Sequence, residues 1–272
     1  MSDLLSDLPP LRDSLAAAGL AARKSFGQHF LLDLNVTRKI VRLAGVSAGD
    51  TVVEVGPGPG GLTRALLEAG ARVIAIEKDQ RFLPLLAELA AHAEDRLTVV
   101  AGDALEPPAG AVPDRAAIVA NLPYNVATPL LIGWLTGPPR LMTLMFQKEV
   151  AMRIVAAPSS KDYGRLSVLA QALSDTEMVM ELPARAFTPP PKVDSAVVRM
   201  TPKPDRPAPA LIEALQRVTA AAFGQRRKML RSSLRGVGGE ALLGKVGIDG
   251  TRRAEELPVT AFLQLAAALL SP

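Results

Sequence analysis

The 272-residue chain contains no cysteine, two histidines, one tryptophan and two tyrosines. Without cysteine there is no disulfide framework, no zinc ribbon and no thiol nucleophile, and two histidines are too few for a multi-histidine metal site. We therefore expect no metal. The best apolar run, residues 129–135, is far shorter than the roughly 18 residues that a membrane-spanning helix needs. The first ten residues do not resemble a signal peptide, so we expect a soluble, cytoplasmic protein with no membrane partner.

Positive charge is concentrated in the last quarter of the chain. Residues 201–272 carry 11 basic and 6 acidic side chains, whereas residues 1–200 carry 20 and 21. No acidic residue lies between Glu213 and Glu240. This asymmetry favours a polyanionic partner, most simply a nucleic acid. On charge alone, a solvated helix face explains the pattern equally well.

Strand-like and helix-like segments alternate through the first half of the chain. Apolar, β-branched runs at residues 51–55, 72–76, 97–100 and 116–120 predict four strands. The alternation predicts an open, mostly parallel sheet with helices on both faces. Four prolines in residues 201–209 predict a linker, and the Ala- and Leu-rich sequence beyond it predicts a small all-α domain. We therefore expect one domain over residues 1–205 and a second over residues 206–272.

A glycine-rich turn, EVGPGPGGLT, lies between the first of these strands and the helix that follows it. Gly56, Gly58 and Gly61 satisfy the G-x-G-x-x-G pattern of dinucleotide-binding proteins, which is weak evidence when it stands alone. A pyrophosphate needs backbone N–H donors at such a turn, and Pro57 and Pro59 supply none. A nucleoside ligand without phosphate, such as S-adenosylmethionine, has no such requirement.

Acidic residues follow the next two strands. Glu77 ends the second strand, where one carboxylate can accept hydrogen bonds from both hydroxyls of a ribose. Asp103 follows the third strand, where a carboxylate can accept from the exocyclic amine of adenine. The alternative interpretation is a tight strand-to-helix turn with two surface acids.

The tetrad Asn121-Leu122-Pro123-Tyr124 ends the fourth strand and is the most specific motif in the chain. The N6 amine of adenine attacks poorly because its lone pair is delocalised into the ring. The Asn121 side-chain oxygen and the Leu122 carbonyl can accept its hydrogens and so localise the lone pair, while Pro123 fixes the turn. Tyr124 offers an aromatic face on which an extruded base can stack. Alternatively, the tetrad is an Asn/Pro turn with an anchoring tyrosine.

Together these motifs resemble those of the ribosomal RNA adenine N6-dimethyltransferases, the KsgA family, from about Lys24 to the end of the chain. Residues 24–31, KSFGQHFL, are similar to the family's N-terminal motif (residues 24–33 here), which closes over the methyl donor; Asn or His is common in the family at the position of His29. The resemblance implies a Rossmann-like S-adenosylmethionine-dependent methyltransferase sheet with a small all-α C-terminal domain. The implied cofactor contacts are His29, Leu31, Gly56, Glu77, Asp103 and Asn121.

Two further segments resemble motifs of the same family. Residues 187–195, FTPPPKVDS, are similar to its target-loop motif, which implies that Phe187 sandwiches the adenine opposite Tyr124. Residues 223–234, FGQRRKMLRSSL, are similar to part of its C-terminal domain; a single helix would gather Phe223, Leu230 and Leu234 on one side and align basic residues at spacings of four. The implied RNA contacts are Arg226, Arg227, Lys228, Arg231 and Arg235.

The resemblance implies transfer of methyl groups from S-adenosylmethionine to N6 of two adjacent adenines in small-subunit (16S) rRNA, with the small ribosomal subunit as partner. We expect a monomer. Three other hypotheses remain. An erythromycin-resistance-type enzyme acting on large-subunit rRNA is disfavoured by the C-terminal basic motif. A non-catalytic assembly factor has no need of an intact Glu77, Asp103 and Asn121. An NAD-dependent dehydrogenase is disfavoured by Pro57 and Pro59.

Overall fold

The structure is a computed structural model that describes residue 5 and residues 7–23, 27–114, 116–138, 140–225 and 227–271. The chain folds into two compact units. The first comprises Met1–Trp134, Pro138–Ala151 and Met178–Arg199, and the second comprises Leu135–Gly137, Met152–Glu177 and Met200–Pro272.

Nine strands form two sheets among the described residues. β1 (Phe30–Leu31) pairs antiparallel with β8 (Phe187–Thr188). The strands of the larger sheet are β2 (Thr51–Val55), β3 (Arg72–Glu77), β4 (Leu97–Ala101), β5 (Ala117–Asn121), β6 (Met142–Gln147), β7 (Ser174–Leu182) and β9 (Ser195–Pro202). Their order is β4-β3-β2-β5-β6-β9-β7, and the pairings from β4 to β6 are parallel. The four strands predicted at residues 51–120 are confirmed to within one residue at each end.

The strand order determines where a ligand crevice lies. The chain adds β3 and β4 on one side of β2, and β5 and β6 on the other. In open α/β sheets ligands bind outside the carboxyl ends of the strands, at the point where the order reverses. Here that point lies between Val55 at the end of β2 and Asn121 at the end of β5.

The central strands β2 and β5 are mostly apolar and buried because a parallel sheet is covered on both faces. Val52 and Val53 of β2 and Ile118 of β5 are fully buried. The helices of the described residues are α1 (Leu11–Ala17), α2 (Leu34–Ala44), α3 (Gly61–Glu68), α4 (Leu83–Ala91), α5 (Ala127–Thr136), α6 (Lys148–Val155), α7 (Arg165–Leu173), α8 (Pro209–Gly224), α9 (Leu230–Ser233), α10 (Gly239–Lys245) and α11 (Val259–Leu270). None of these helices has the length and apolar character that a membrane crossing requires.

The second unit has its own aromatic core. Phe223 of α8 stacks on Phe262 of α11 with ring centroids 5.5 Å apart, and it meets the edge of Tyr163 at 6.1 Å. The buried Tyr163 hydroxyl donates to the Leu257 carbonyl at 3.0 Å. These contacts join α8 and α11 to residues that precede the predicted boundary at 205.

The division of the chain differs from the expected break between residues 205 and 206. Residues 152–177, which include the start of β7, group with the C-terminal segment. The proline-rich stretch is also not a free linker, because β9 extends to Pro202 and the following residues are bonded within the second unit. The Lys203 N–H donates to the Leu173 carbonyl at 3.2 Å, and Arg206 donates to the carbonyls of Leu135 and Gly137. Tertiary hydrogen bonds of this kind leave no mark in local composition.

Candidate functional site

A cavity of about 200 Å³ opens at the carboxyl edge of the parallel strands, in the first unit. It is lined by the loop after β2, by the ends of β3 and β5, by the turn after β4, and by residues 27–31, which we call the 27–31 wall. Six of the predicted site residues meet there: His29, Leu31, Gly56, Glu77, Asp103 and Asn121. Leu122, Pro123 and Tyr124 line the same cavity. The sheet topology therefore brings together side chains that are up to 95 positions apart in sequence.

The glycine loop is closed to a phosphate. The N–H of Gly56 donates to the Ile76 carbonyl at 2.9 Å, that of Gly58 to Glu77 Oε2 at 2.9 Å, and that of Gly60 to the Pro57 carbonyl at 3.0 Å. Since Pro57 and Pro59 have no N–H, the loop offers no convergent set of donors to a pyrophosphate. The geometry argues against a dinucleotide site.

The loop needs glycine for close approach as well as for its backbone angles. Gly58 has a φ of +54°, and a Cβ there would lie 3.1 Å from the Phe30 ring. At Gly61 a Cβ would lie 2.5 Å from the Leu31 carbonyl oxygen, which real structures do not tolerate. The two glycines thus let the 27–31 wall lie directly against the loop and the start of α3.

Glu77 is oriented by the backbone on both sides. Its side chain is buried, with Oε1 accepting from the Asp79 N–H at 2.7 Å and Oε2 from the Gly58 N–H at 2.9 Å. Burial raises the pKa of Glu77, and these backbone hydrogen bonds oppose the shift. Each oxygen keeps lone-pair capacity for one more donor, so the carboxylate can bind a pair of adjacent hydroxyls.

Sequence reasoning missed Glu54, which also lines the cavity. It is fully desolvated, accepts a 2.6 Å hydrogen bond from the Thr63 hydroxyl, and has its pKa raised to about 8 by burial. At neutral pH it is therefore mainly a neutral acid, and it lies beside Glu77 without a second full negative charge. The sequence does contain a signal for Glu54, because a carboxylate within a mostly apolar, buried strand is unusual.

Asp103 already has partners in this structure. Oδ2 forms a 2.6 Å ion pair with Lys78, and Oδ1 accepts from the Leu105 N–H at 3.0 Å. The Lys78 contact lowers the pKa of Asp103. The lysine side chain is 62% exposed, so the pair is in contact with water and its partners can be exchanged at little cost. An amine ligand at Asp103 would compete with Lys78, a residue that sequence reasoning did not single out.

Asn121 has a defined orientation. Its Nδ2 donates to the His29 carbonyl at 3.1 Å. A carbonyl partner requires the nitrogen on that side, so the amide oxygen is the group left for a ligand. That oxygen accepts no hydrogen bond from any residue that the structure describes. The arrangement fits an acceptor for an amine in the cavity.

Tyr124 is held at both ends. Its hydroxyl forms a 2.6 Å hydrogen bond with Ser195 Oγ, and its ring stacks on His29 with centroids 5.6 Å apart. His29 Nδ1 lies 2.8 Å from the Pro189 carbonyl, so Nδ1 carries the proton and the ring orientation is fixed. Burial raises the pKa of Tyr124.

Phe187 is not part of the cavity wall. It is 3% exposed and packs in the core, because β8 pairs with β1 in a register that places Phe187 opposite Leu31. The ring that faces Tyr124 here is His29. The structure does not show Phe187 opposite Tyr124 across the cavity, and the role of Phe187 stays a prediction.

The prediction that residues 223–235 form a single basic helix is wrong. α8 ends at Gly224, and the next helix, α9, starts only at Leu230. The backbone between them is used elsewhere: Met229 forms a β-bridge with Arg253, and the Leu230 N–H donates to the Arg252 carbonyl at 2.8 Å. These hydrogen bonds replace the helical ones.

The basic side chains after α8 remain on the surface. Arg227, Lys228, Arg231 and Arg235 are exposed, whereas Leu230 and Leu234 are buried as predicted. We call residues 227–235 the basic segment. Arg226 lies outside the described residues, as do Lys24, Ser25 and Phe26 of the N-terminal motif.

Within the described parts of the chain, no group of three His, Asp or Glu side chains is arranged to hold a metal ion. The cavity instead combines apolar walls, one buried carboxylate held by backbone N–H groups, one neutral acid and one free amide oxygen. This set fits a nucleoside with an uncharged or cationic tail better than it fits a phosphate or a metal.

Comparison with known proteins agrees with this chemistry. The sequence model of the family described as "Ribosomal RNA adenine dimethylase" matches residues 19–270. A relative from Phenylobacterium zucineum (strain HLK1), named "Ribosomal RNA small subunit methyltransferase A", is 64% identical over 271 residues, covering 98% of this chain and 95% of the relative. A relative of the same name from Caulobacter vibrioides is 66% identical over 252 residues, covering 92% and 98%.

Solved structures show the same architecture. A dimethyladenosine transferase from Plasmodium falciparum superimposes with a TM-score of 0.76 at 25% identity, covering 87% of this chain and 96% of the other. The 23S rRNA methyltransferase ErmE gives a TM-score of 0.65 at 29% identity, covering 88% and 99%. With a family match over nearly the whole chain and relatives of this identity, the chain belongs to the ribosomal RNA adenine dimethylase family.

Proposed function

We propose that the protein transfers methyl groups from S-adenosylmethionine to N6 of adenine in small-subunit rRNA, twice at each of two adjacent adenines, during ribosome biogenesis. The observation that carries the proposal is the meeting, in one cavity, of a hydroxyl-binding carboxylate, Glu77, with the amide of Asn121 and the ring of Tyr124. The relatives named for the small subunit support this choice of rRNA.

The residues present fit the proposed cofactor. Glu77 would accept from the ribose hydroxyls, and Asp103 would accept from the adenine amine after exchanging Lys78. Gly56 and the rest of the loop would lie against the ligand, since the absence of Cβ atoms leaves that space open. His29 and Leu31 would contribute from the 27–31 wall. When bound, S-adenosylmethionine supplies a methyl group activated by a positively charged sulfur.

Asn121 and Leu122 would prepare the nucleophile. The Asn121 amide oxygen would accept one N6 hydrogen and the Leu122 carbonyl the other, which localises the lone pair on nitrogen. Pro123 holds the turn that carries these acceptors, and Tyr124 would stack on the base. The contribution of these residues is mainly positioning, since they bring a weak nucleophile into line without a base of unusual pKa.

The basic segment would bind rRNA phosphates. Arg227, Lys228, Arg231 and Arg235 are exposed there, and Arg226 belongs to the same run of sequence. Contacts of long basic side chains with phosphates set affinity and register, whereas RNA shape selects the site. Binding should therefore depend strongly on salt.

The test is methyl transfer from radiolabelled S-adenosylmethionine to small ribosomal subunits from a strain that lacks the dimethyladenines, with large subunits and naked rRNA in parallel. We expect label in N6,N6-dimethyladenine in small subunits only. Label in large-subunit rRNA would assign the chain to the resistance-type reaction instead. Binding to small subunits without transfer to any RNA would overturn the enzymatic proposal and favour an assembly factor.

A further inference from the structure

The turn after β3 carries an ionic cluster that the proposed chemistry does not use. Asp79 is 3% exposed, and its carboxylate accepts two hydrogen bonds from the Arg81 guanidinium. Arg81 Nε lies 2.9 Å from Oδ1, and Nη2 lies 2.5 Å from Oδ2. Two parallel, charge-assisted hydrogen bonds fix both the position and the plane of a carboxylate. Asp79 is therefore a rigid anchor beside the cavity, although it does not line it.

This anchor holds the 27–31 wall through Gln28. The Gln28 Nε2 group donates to Asp79 Oδ2 at 2.8 Å, and Gln28 Oε1 accepts from the Arg23 N–H at 2.9 Å. Arg81 adds a 3.2 Å hydrogen bond to the Ala21 carbonyl. The wall and the chain that precedes it are thus tied to the pair of Asp79 and Arg81, with Asp79 51 positions away from Gln28 in sequence.

The same residue also orients the proposed ribose site. The backbone N–H of Asp79 donates to Glu77 Oε1 at 2.7 Å. Asp79 therefore contacts two residues that line the cavity, Glu77 by its backbone and Gln28 by its side chain. A shift of Asp79 would move the wall and the carboxylate together.

We propose that Asp79 and Arg81 are positioning residues that hold the 27–31 wall and Glu77 in register for the cofactor. The inference rests on the proposed function for the identity of the ligand and adds residues to that site. Neither residue touches the ligand; both act through Gln28 and Glu77. Their loss weakens cofactor binding, because the ligand must then order the wall itself.

The chain offers a matched control. Arg38 grips Glu68 with the same forked geometry, Nε at 2.7 Å and Nη2 at 2.9 Å, and joins α2 to α3 away from the cavity. Glu68→Gln removes the negative charge from one forked ion pair, as Asp79→Asn does from the other. Glu68→Gln therefore reports what the loss of a forked ion pair away from the cavity does to cofactor binding.

The experiment compares Asp79→Asn, Gln28→Ala, the double variant and Glu68→Gln. It measures the KM for S-adenosylmethionine, the KM for small subunits, and the Kd of S-adenosylhomocysteine by calorimetry. We expect the cofactor KM and the Kd to rise about tenfold in Asp79→Asn, with the KM for subunits changed less than about twofold. The double variant should raise the cofactor KM and the Kd no further than the stronger single variant does, because both changes break one chain of contacts. Glu68→Gln should resemble the unchanged protein.

Hydrogen exchange of the free protein gives a readout that needs neither cofactor nor RNA. Peptides containing residues 27–31 should exchange faster in Asp79→Asn and in Arg81→Lys, which keeps the charge but not the fork. The same peptides should be unchanged in Glu68→Gln. Three results would overturn the positioning role: equal exchange in all variants, additive effects of Gln28→Ala and Asp79→Asn, or equal losses of cofactor and subunit affinity. If the unchanged protein methylated no RNA, the proposed function would fail, and the exchange result would still decide whether Asp79 holds the wall.

Discussion

The cavity and the basic segment hold their functional groups in opposite ways. In the cavity, Glu77 is buried with both oxygens fixed by backbone N–H groups, and Asn121 is fixed by a backbone carbonyl. In the basic segment, Arg227 and Arg231 are long, exposed side chains on a short turn and a four-residue helix. The first arrangement suits a reaction that needs atoms in fixed positions, and the second suits a phosphate backbone that side chains can follow as they bind.

This difference predicts that changes in the cavity have large effects on chemistry or on cofactor binding, whereas changes in the basic segment have smaller effects that depend on salt. The largest effect is expected at Asn121. Replacing Asn121 with Ala removes the acceptor for N6 and should lower the methyl-transfer rate by about a hundredfold to a thousandfold, while the Kd of S-adenosylhomocysteine changes only a few-fold. Single-turnover transfer to small subunits and calorimetry measure the two quantities.

Asn35→Ala is the matched control for that substitution, since Asn35 lies in the first turn of α2 and outside the cavity. It should leave both quantities unchanged. A transfer rate for Asn121→Ala within about tenfold of the unchanged protein would show that lone-pair localisation is not the source of the rate.

The second effect concerns stability and the buried acid Glu54. Its pKa is raised to about 8 from an ordinary 4.5, so folding holds a proton that the unfolded chain releases above pH 4.5. The stability that this carboxyl contributes is complete below pH 4.5 and is lost as the pH rises towards 8. Glu54→Gln, which mimics the neutral acid, should therefore gain about 3 kcal/mol relative to the unchanged protein between pH 5 and pH 8.

The fluorescence of Trp134, the only tryptophan, reports the first unit and can follow urea unfolding at each pH. The informative quantity is the difference in unfolding free energy between the two proteins. A difference that stays constant from pH 5 to pH 8 would mean that Glu54 does not hold a proton in the folded state.

The third effect is on cofactor affinity at Glu77. In Glu77→Gln one carboxylate oxygen becomes an NH₂ group that must face the N–H of Gly58 or Asp79, so a donor meets a donor. We expect the Kd of S-adenosylhomocysteine to rise about thirtyfold, by loss of ribose hydrogen bonds and of the loop geometry. Glu106→Gln, an exposed acid after β4, should have no effect. An unchanged Kd for Glu77→Gln would remove Glu77 from the cofactor site.

The smallest effect is expected in the basic segment. Arg227→Gln together with Arg231→Gln should weaken binding to small subunits about tenfold at 0.1 M salt and reduce the slope of log K against log salt by roughly 1 to 2. The Kd of S-adenosylhomocysteine should not change. Arg12→Gln with Arg42→Gln removes the same charge from exposed positions of the first unit. If both double variants had the same salt slope, the basic segment would be an ordinary solvated surface.

The same contrast explains what the sequence could predict. The cavity residues lie at the ends of strands that are predicted by their apolar runs. Parallel pairing brings the carboxyl ends of these strands to the same edge of the sheet. Glu77, Asp103 and Asn121 could therefore be placed in one site before the structure was known. The protonation of Glu54 and the pairing of Asp103 with Lys78 depend on burial and on tertiary distance, which residue spacing does not encode.

The predicted helix over this part of the chain is wrong because tertiary hydrogen bonds override a helical period that is present in the sequence. Leu230 and Leu234 do face the core, as the spacing requires. The backbone before them, however, bonds to residues 250–253, and a local pattern carries no information about a partner 20 positions away. Phe187 was similarly placed by resemblance to a motif, while its burial follows from the register of β1 and β8.

In the proposed function, one cavity between the ends of β2, β3 and β5 binds the cofactor beside Asn121. A crystal structure with S-adenosylhomocysteine bound tests it most directly. We predict ribose hydroxyls within hydrogen-bond distance of both Glu77 oxygens, and a sulfur on the same side of the cavity as the Asn121 amide. A ligand bound elsewhere, or one whose ribose does not touch Glu77, would contradict the account.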